Sequence, residues 1–222
     1  MDEPGIALTQ ARDAYVEGDW PTAAARFDIV EDKQLTADDL HDYFHAVWWN
    51  GRSDDAARLG AAAFHALRAD SRLAQAAKVA WILALVHMSR GDEPQAHGWA
   101  GRAGRMLEGI PQNPGHGYLL FLTEVQVNLS IGEPAAAVDA ARRVHDLGRE
   151  LDDPDLVAAA LYGQGHALIK LGQVVDGLAL LDEAMVDVVD GRVASVVGGA
   201  IYCWNISACH EVAELGRMTR WT

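Results

Sequence analysis

Glycine recurs in this chain at near-constant spacing. It stands at 18, 51, 91, 132, 172 and 216 in the texts GDWP, NGRSD, RGDEP, IGEP, LGQ and LGR, at intervals of 33, 40, 41, 40 and 44 residues. A helix commonly ends on a left-handed residue, which glycine adopts without a Cβ clash. After these glycines the next helix opens on an acid near its positive end and often on proline in its first turn: Asp19 then Pro21, Asp92 then Pro94, Glu133 then Pro134. Five residues after each glycine stands Ala23, Ala56, Ala96, Ala137 or Gly177. A small residue there lets two antiparallel helices approach just past the bend, and Trp221 at the sixth bend breaks the rule.

The text between the bends has helical periodicity: Leu59, Ala63, Leu67, then Val79, Leu83, Val86, then Leu161, Leu168, Leu171. A second set of breakers, Lys33–Asp38, Ala69–Ser71, Gly109–Gly115, Asp152–Pro154 and Asp190–Arg192, separates hairpin from hairpin, and Asp153 before Pro154 is a good cap and first-turn pair. The expected fold is all-α: an α-solenoid of about five and a half helical hairpins in a right-handed superhelix. The expected boundaries are one repeat domain, 1–222, with hairpins at 5–33, 36–69, 71–109, 115–152, 154–190 and an incomplete 195–222.

Charge restricts the partners. Eighteen Lys+Arg against 32 Asp+Glu leave a formal net charge of −14, which repels phosphate backbones and anionic lipid, so no direct nucleic-acid binding and no membrane binding are expected. The first 55 residues are the most acidic, a pattern of solvated helix faces or of a surface for a basic partner. Cys203 and Cys209 lie six apart on one expected helix and cannot bridge, so they read as free, buried thiols in a reducing cytoplasm. The longest apolar run, about ten residues around Val79–Val86, is short for a membrane span, and no signal peptide opens the chain.

Motifs of chemistry are sparse. Gly163-Gln-Gly165-His-Ala-Leu-Ile-Lys170 lacks the second glycine of a phosphate loop and lies inside an expected helix, where its glycines suit close packing. His41 and His45 stand one helical turn apart, with Asp38 a turn earlier, but zinc needs a third ligand and the sequence offers none at a suitable spacing. Glu124, Asp182 and Glu183 are not placed across any cleft by their spacing. No catalytic residue, metal site or cofactor is assigned, and the chain is not expected to be an enzyme.

A turn glycine followed five places later by a small residue resembles the tetratricopeptide repeat, with a period nearer 40 than the standard 34. The segments YLLF (Tyr118–Phe121), DPDLVAAAL (Asp153–Leu161), GQGHALIKLG (Gly163–Gly172), LLDEAM (Leu180–Met185) and YCWNISACHEVAELGRMTRWT (Tyr202–Thr222), with Trp99–Ala103, look like the helical-repeat region of actinobacterial LuxR-family transcriptional regulators. Many of those proteins end in a helix-turn-helix. No such text is present here, which leaves an N-terminal piece or a natural short form, so DNA binding is not carried over.

In tetratricopeptide-like stacks the first helix of each pair lines the concave face, with ligand positions about ten, six and three residues before the turn glycine. Counting back gives His41, His45 and Trp48; Trp81, Leu85 and Met88; Leu122, Gln126 and Leu129; Tyr162, His166 and Ile169; Ile206, His210 and Ala213. From these, His41, His45, Trp48, Trp81, Met88, Gln126, Tyr162, His166 and His210 are the candidate partner groove, and packing between hairpins is the competing role for each. The resemblance implies a cytoplasmic scaffold for a protein or peptide partner, the sensor or regulatory region of a LuxR-type regulator. The alternative is a self-assembling structural repeat without a small-molecule ligand, a homodimer formed through the apolar, uncapped C-terminal helices around Ile201, Tyr202, Trp204, Ile206 and Val212.

Overall fold

A computed structural model describes residues 3–221; Met1, Asp2 and Thr222, the ends of the expected 1–222 domain, lie outside the described residues. Every regular element among the described residues is helical. The chain divides into two compact units, 1–110 and 111–222.

The first unit holds α1 (Glu3–Val16), α2 (Trp20–Phe27), a 3-10 turn (Asp32–Gln34), α3 (Ala37–Trp49), α4 (Ser53–Ala69), α5 (Leu73–Ser89) and α6 (Glu93–Leu107). The pairs α1/α2, α3/α4 and α5/α6 are hairpins, and α4 also packs on α5. Phe27, Phe44, Leu59, Phe64 and Leu83 fill the core. The second unit opens with an arm in three pieces: α7 (Pro114–Leu120), a π turn (Phe121–Gln126) and α8 (Val127–Ile131). This arm pairs with α9 (Pro134–Glu150). Two further pairs follow, α10 (Pro154–Lys170) with α11 (Val174–Val189) and α12 (Ser195–Glu211) with α13 (Leu215–Trp221). The FLTEVQ text of the π turn contains neither Gly nor Pro, so the extra residue in that helix has no local mark in the sequence.

The bends share one construction. At Gly18 the glycine amide donates to the Tyr15 carbonyl and the Asp19 amide reaches back to the Ala14 carbonyl, the paired closure that satisfies the last carbonyls of a helix. The same pair of bonds closes the bends at Gly51, Gly91 and Gly172, and these four glycines with Gly132 all have φ between 70° and 81°. Asp19, Asp92 and Asp153 then cap the next helix through their carboxylates.

The sixth bend departs from expectation. Gly216 lies inside α13, and the left-handed residue is Ala213, at φ 59°. Ala213 and Glu214 make the two closing bonds, to the His210 and Cys209 carbonyls. Ser71 and Asp152 do the same between hairpins, at φ 59° and 53°. The hydrogen-bonded closure thus recurs where the glycine does not, at a steric cost of about 1–2 kcal/mol for each Cβ.

The small residues after the bends are buried at helix contacts: Ala23, Ala56, Ala96 and Ala137 in turn. Where the position is Gly177, α10 and α11 approach backbone to backbone. A Cβ built on Gly177 would stand 2.5 Å from the Gly165 carbonyl oxygen, and one on Gly165 would stand 2.7 Å from that of Gly177. The glycines of the Gly163–Lys170 text are therefore packing residues, Gly163 lying against Val125 and Phe121.

Much of the N-terminal acidity is neutralised within the unit. Arg12 makes a two-pronged pair with buried Asp39, at 2.7 and 2.9 Å. Arg52 joins Asp28 to Asp55, Arg72 holds Asp38, and Arg90 holds Asp54. Burial raises the Asp39 carboxyl, but the hydrogen bonds from Arg12 and Thr36 outweigh it and hold the group below its ordinary range. Thr36 and Asp39 also cap each other at the start of α3.

Two expectations change. Cys209 is buried, but Cys203 is exposed, and both thiols are free. The apolar α12 is covered in part by α13, whose Met218 and Trp221 share a shallow cleft with Tyr202 and Ile206, while the Trp221 indole donates to Asp182 at 3.0 Å.

Candidate partner-binding faces

In the first unit His41, His45 and Trp48 recur along one side of α3, with Trp48 half-buried. His45 is 5% exposed and its Nδ1 lies 2.9 Å from the Tyr15 hydroxyl of α1. The His41 ring is 4.0 Å away, centroid to centroid, and its Nδ1 meets the Asp42 carboxylate at 3.1 Å. His45 Nε2 is buried and meets no hydrogen-bond partner among the described residues. Desolvation, then the charges of His41 and Lys78, push the His45 imidazole well below its ordinary value. Burial raises the Tyr15 hydroxyl, and Asp42 adds to the shift. This is a neutral imidazole held between two helices, without the open side a metal ligand needs. Among the described residues no group of three or more His, Cys, Asp or Glu is placed to hold a metal.

On α5, Trp81 is buried at 2% exposure, whereas Met88 is 46% exposed. Trp81 belongs to the core, while Met88 is free to contact a partner. Two tryptophans outside the counted positions meet in the same unit: Trp20 lies edge-on to Tyr15 at 5.3 Å and stacks with Trp49 at 6.2 Å.

In the second unit Tyr162 is buried under Trp204, with ring centroids 5.1 Å apart, and Trp204 also stacks on Phe121 at 5.9 Å. The π turn, α10 and α12 each contribute one ring. Tyr162 bonds His166 Nδ1 at 3.0 Å, His166 Nε2 meets Glu211 at 3.3 Å, and Glu211 pairs with Lys170 at 2.7 Å. Burial lowers the His166 imidazole, opposed by Glu211. Burial also raises the Glu211 carboxyl, but Lys170 and His166 outweigh it and the group stays below its ordinary value. Gln126 is half-buried, with an amide nitrogen that finds no partner among the described residues. His210 is exposed.

The structure thus joins His41 to His45 and Tyr162 to His166. It buries His45, Trp81 and Tyr162, and leaves His41, Trp48, Met88, Gln126, His166 and His210 at least partly open. Counting back ten, six and three from Gly18 gives Leu8, Arg12 and Tyr15, so the same rule applied to the first hairpin would have found the partners of Asp39 and His45. With the sixth bend at Ala213, the count falls on Cys203, Ser207 and His210, all exposed; Ile206 drops out and His210 moves from the middle position to the last. Trp204 obeys no such count.

No protein-family model matches the sequence, and no curated protein matches it. Among solved structures, the chain is similar to BtubC (BKLC) from P. vanneervenii, with a TM-score of 0.54 and 16% identity over 78% of this chain and 75% of that one. It is also similar to the nearly identical TPR-like repeats of a putative kinesin light chain from Podosopora anserina, with a TM-score of 0.54 and 16% identity over 86% of this chain and 99% of that one. At this identity the likeness is one of fold, and the fold is a tetratricopeptide-like α-solenoid.

Proposed function

We propose that the chain is a helical-repeat scaffold that binds a protein or peptide, and that it serves as the sensor or regulatory region of a LuxR-type transcriptional regulator without touching DNA itself. One observation carries the binding reading: in each unit imidazole, thioether, amide or indole groups at the counted helix positions stay partly open, His41, Trp48 and Met88 in the first and Gln126, His166 and His210 in the second, with His41 packed on buried His45 and His166 on buried Tyr162. Open groups anchored on a rigid aromatic bed are the composition of an interaction hot spot. The regulator reading rests on the order of the sequence segments given above, and in that reading DNA contact belongs to a helix-turn-helix outside these residues.

A peptide-display selection against the purified chain tests the binding reading. Enriched peptides should lose affinity several-fold on Met88→Ala, His41→Ala or His210→Ala, substitutions at open positions that leave the core intact. No enrichment, or enrichment indifferent to all three, refutes it. Following the encoding frame downstream tests the regulator reading, which requires a helix-turn-helix in the same protein or in a partner bound by this one.

A further inference from the structure

At the corner where α1 turns into α2, exposed acids without an ion pair stand beside open aromatic rings. Arginines take up Asp28, Asp38, Asp39, Asp54 and Asp55. Glu17 and Asp19, on the bend itself, are exposed and form no ion pair among the described residues; Asp19 serves as the cap of α2. Asp42 on α3 is already engaged by His41 and the Tyr15 hydroxyl. Arg12, the cation nearest in sequence, has Nε and one terminal nitrogen committed to Asp39.

The same corner carries open aromatic surface. Trp20 is half-buried and Trp49 is 37% exposed. Their rings lie within 19° of parallel at 6.2 Å, with Tyr15 edge-on behind. Indole faces attract cations, and a guanidinium both stacks on an indole and offers paired donors to a carboxylate. We propose that this corner docks an arginine-bearing segment of a partner protein, recognised by the Trp20–Trp49 pair together with Glu17 and Asp19. The inference rests on the scaffold reading and names the chemistry of one partner. Charge decides the occupant: a second copy of this chain brings another net −14, and a purely apolar segment would desolvate the carboxylates without replacing the water they lose.

The test uses the full chain and a short synthetic peptide alternating arginine with glycine. Its citrulline and glutamate counterparts serve as neutral and acidic probes, and binding is followed by tryptophan emission and by anisotropy of the labelled peptide. The arginine peptide should bind, more weakly at about 300 mM than at about 50 mM salt, and the other two should not. Trp49→Leu and Glu17→Gln should each weaken binding by about three- to fivefold. Asp146→Asn, which removes an equal charge from an exposed side chain in the other unit, should change it by less than about twofold. Equal binding of the citrulline peptide, no effect of Trp49→Leu, or an equal loss from Asp146→Asn overturns the proposal, the last reducing it to general attraction by net charge. If display-selected peptides bind the groove while the arginine peptide does not, this inference falls and the scaffold reading stands; if neither binds, both fall.

Discussion

Mild acid should destabilise the N-terminal unit through one side chain, His45. Its ring is enclosed by Phe44, Tyr15 and His41, its Nδ1 is satisfied by the Tyr15 hydroxyl, and its Nε2 meets no acceptor among the described residues. A proton on that ring would place a buried charge beside His41 and Lys78, both of which oppose it, and Asp42 already meets His41. The folded imidazole therefore binds protons far less readily than the unfolded one, which titrates near about 6.5. The sign follows: the unfolded state carries more protons below that value, so stability is full above it and is lost as pH falls toward the depressed folded value. For as long as the folded ring stays neutral, each further pH unit below the unfolded value favours the unfolded state by at most about 1.4 kcal/mol. Urea unfolding at about pH 7.5 and about pH 5, followed by amide exchange in α3 and by tryptophan emission, measures the difference. His45→Gln, which can keep a bond to Tyr15, and His45→Phe, which fills the site without a titratable group, should both lose that part of the pH dependence even if their stability at about pH 7.5 differs from wild type. His166, also depressed by burial, adds its own slope in the other unit, so the informative quantity is the difference between variants. Equal slopes in wild type and both variants would refute the reasoning.

Other substitutions probe the bends and contacts directly. Gly177→Ala sets a methyl 2.5 Å from the Gly165 carbonyl oxygen and 3.0 Å from the Ile169 amide nitrogen, backbone atoms that cannot rotate aside, and should cost about 2–3 kcal/mol in chemical unfolding. Ala213→Gly and Ser71→Gly, both at left-handed positions, should each be neutral to stabilising by up to about 1 kcal/mol, because relief of the Cβ clash offsets the added freedom of the unfolded chain. Gly172→Ala, at φ 80° with open space around its Cβ position, should cost about 1 kcal/mol by thermal melting, and a stabilising result would exclude backbone strain as the cause. Asp39→Ala removes the Arg12 pair and the bonds its carboxylate accepts from the Thr36 amide and hydroxyl and should cost about 2–3 kcal/mol by urea titration. Because that carboxyl is held low, its stabilisation should persist to about pH 4 and vanish in stronger acid.

The hairpins were legible because their bends need a left-handed residue and their crossings need a small one, and both demands mark the sequence. Ala23, Ala56, Ala96, Ala137 and Gly177 could be placed at contacts from their spacing alone. The reading failed where the backbone demand is met by a residue that does not advertise it. Ala213 takes the left-handed conformation while Gly216, three places on, sits in a helix. A glycine is permissive and does not compel, and the two closing hydrogen bonds of the bend can hold an alanine in a conformation it would not choose alone. The π turn is illegible for a related reason: the widened hydrogen-bonding pattern of Phe121–Gln126 belongs to the backbone, and FLTEVQ is ordinary helical text.

The candidate faces were half legible, and the division follows from helix geometry. Positions three, six and ten before a bend share one side of a helix, so the count recovers side chains that lie together along it, as His41 and His45 do. It says nothing of depth, because burial is set by what the neighbouring helices bring. Trp81 and Tyr162 have the same place in their helices as His41, ten residues before the bend, yet both are buried while His41 keeps a side open. Tyr162 is covered by Trp204, a residue from the next hairpin. Covering of that kind depends on pairs of residues roughly 30 to 40 apart, 162 with 204, 15 with 45 or 20 with 49, a separation near that of one repeat. Periodicity fixes which helices become neighbours and leaves open which side chains fill the space between them. A repeat protein can therefore announce its scaffold in its bends while changing its binding face one tryptophan at a time.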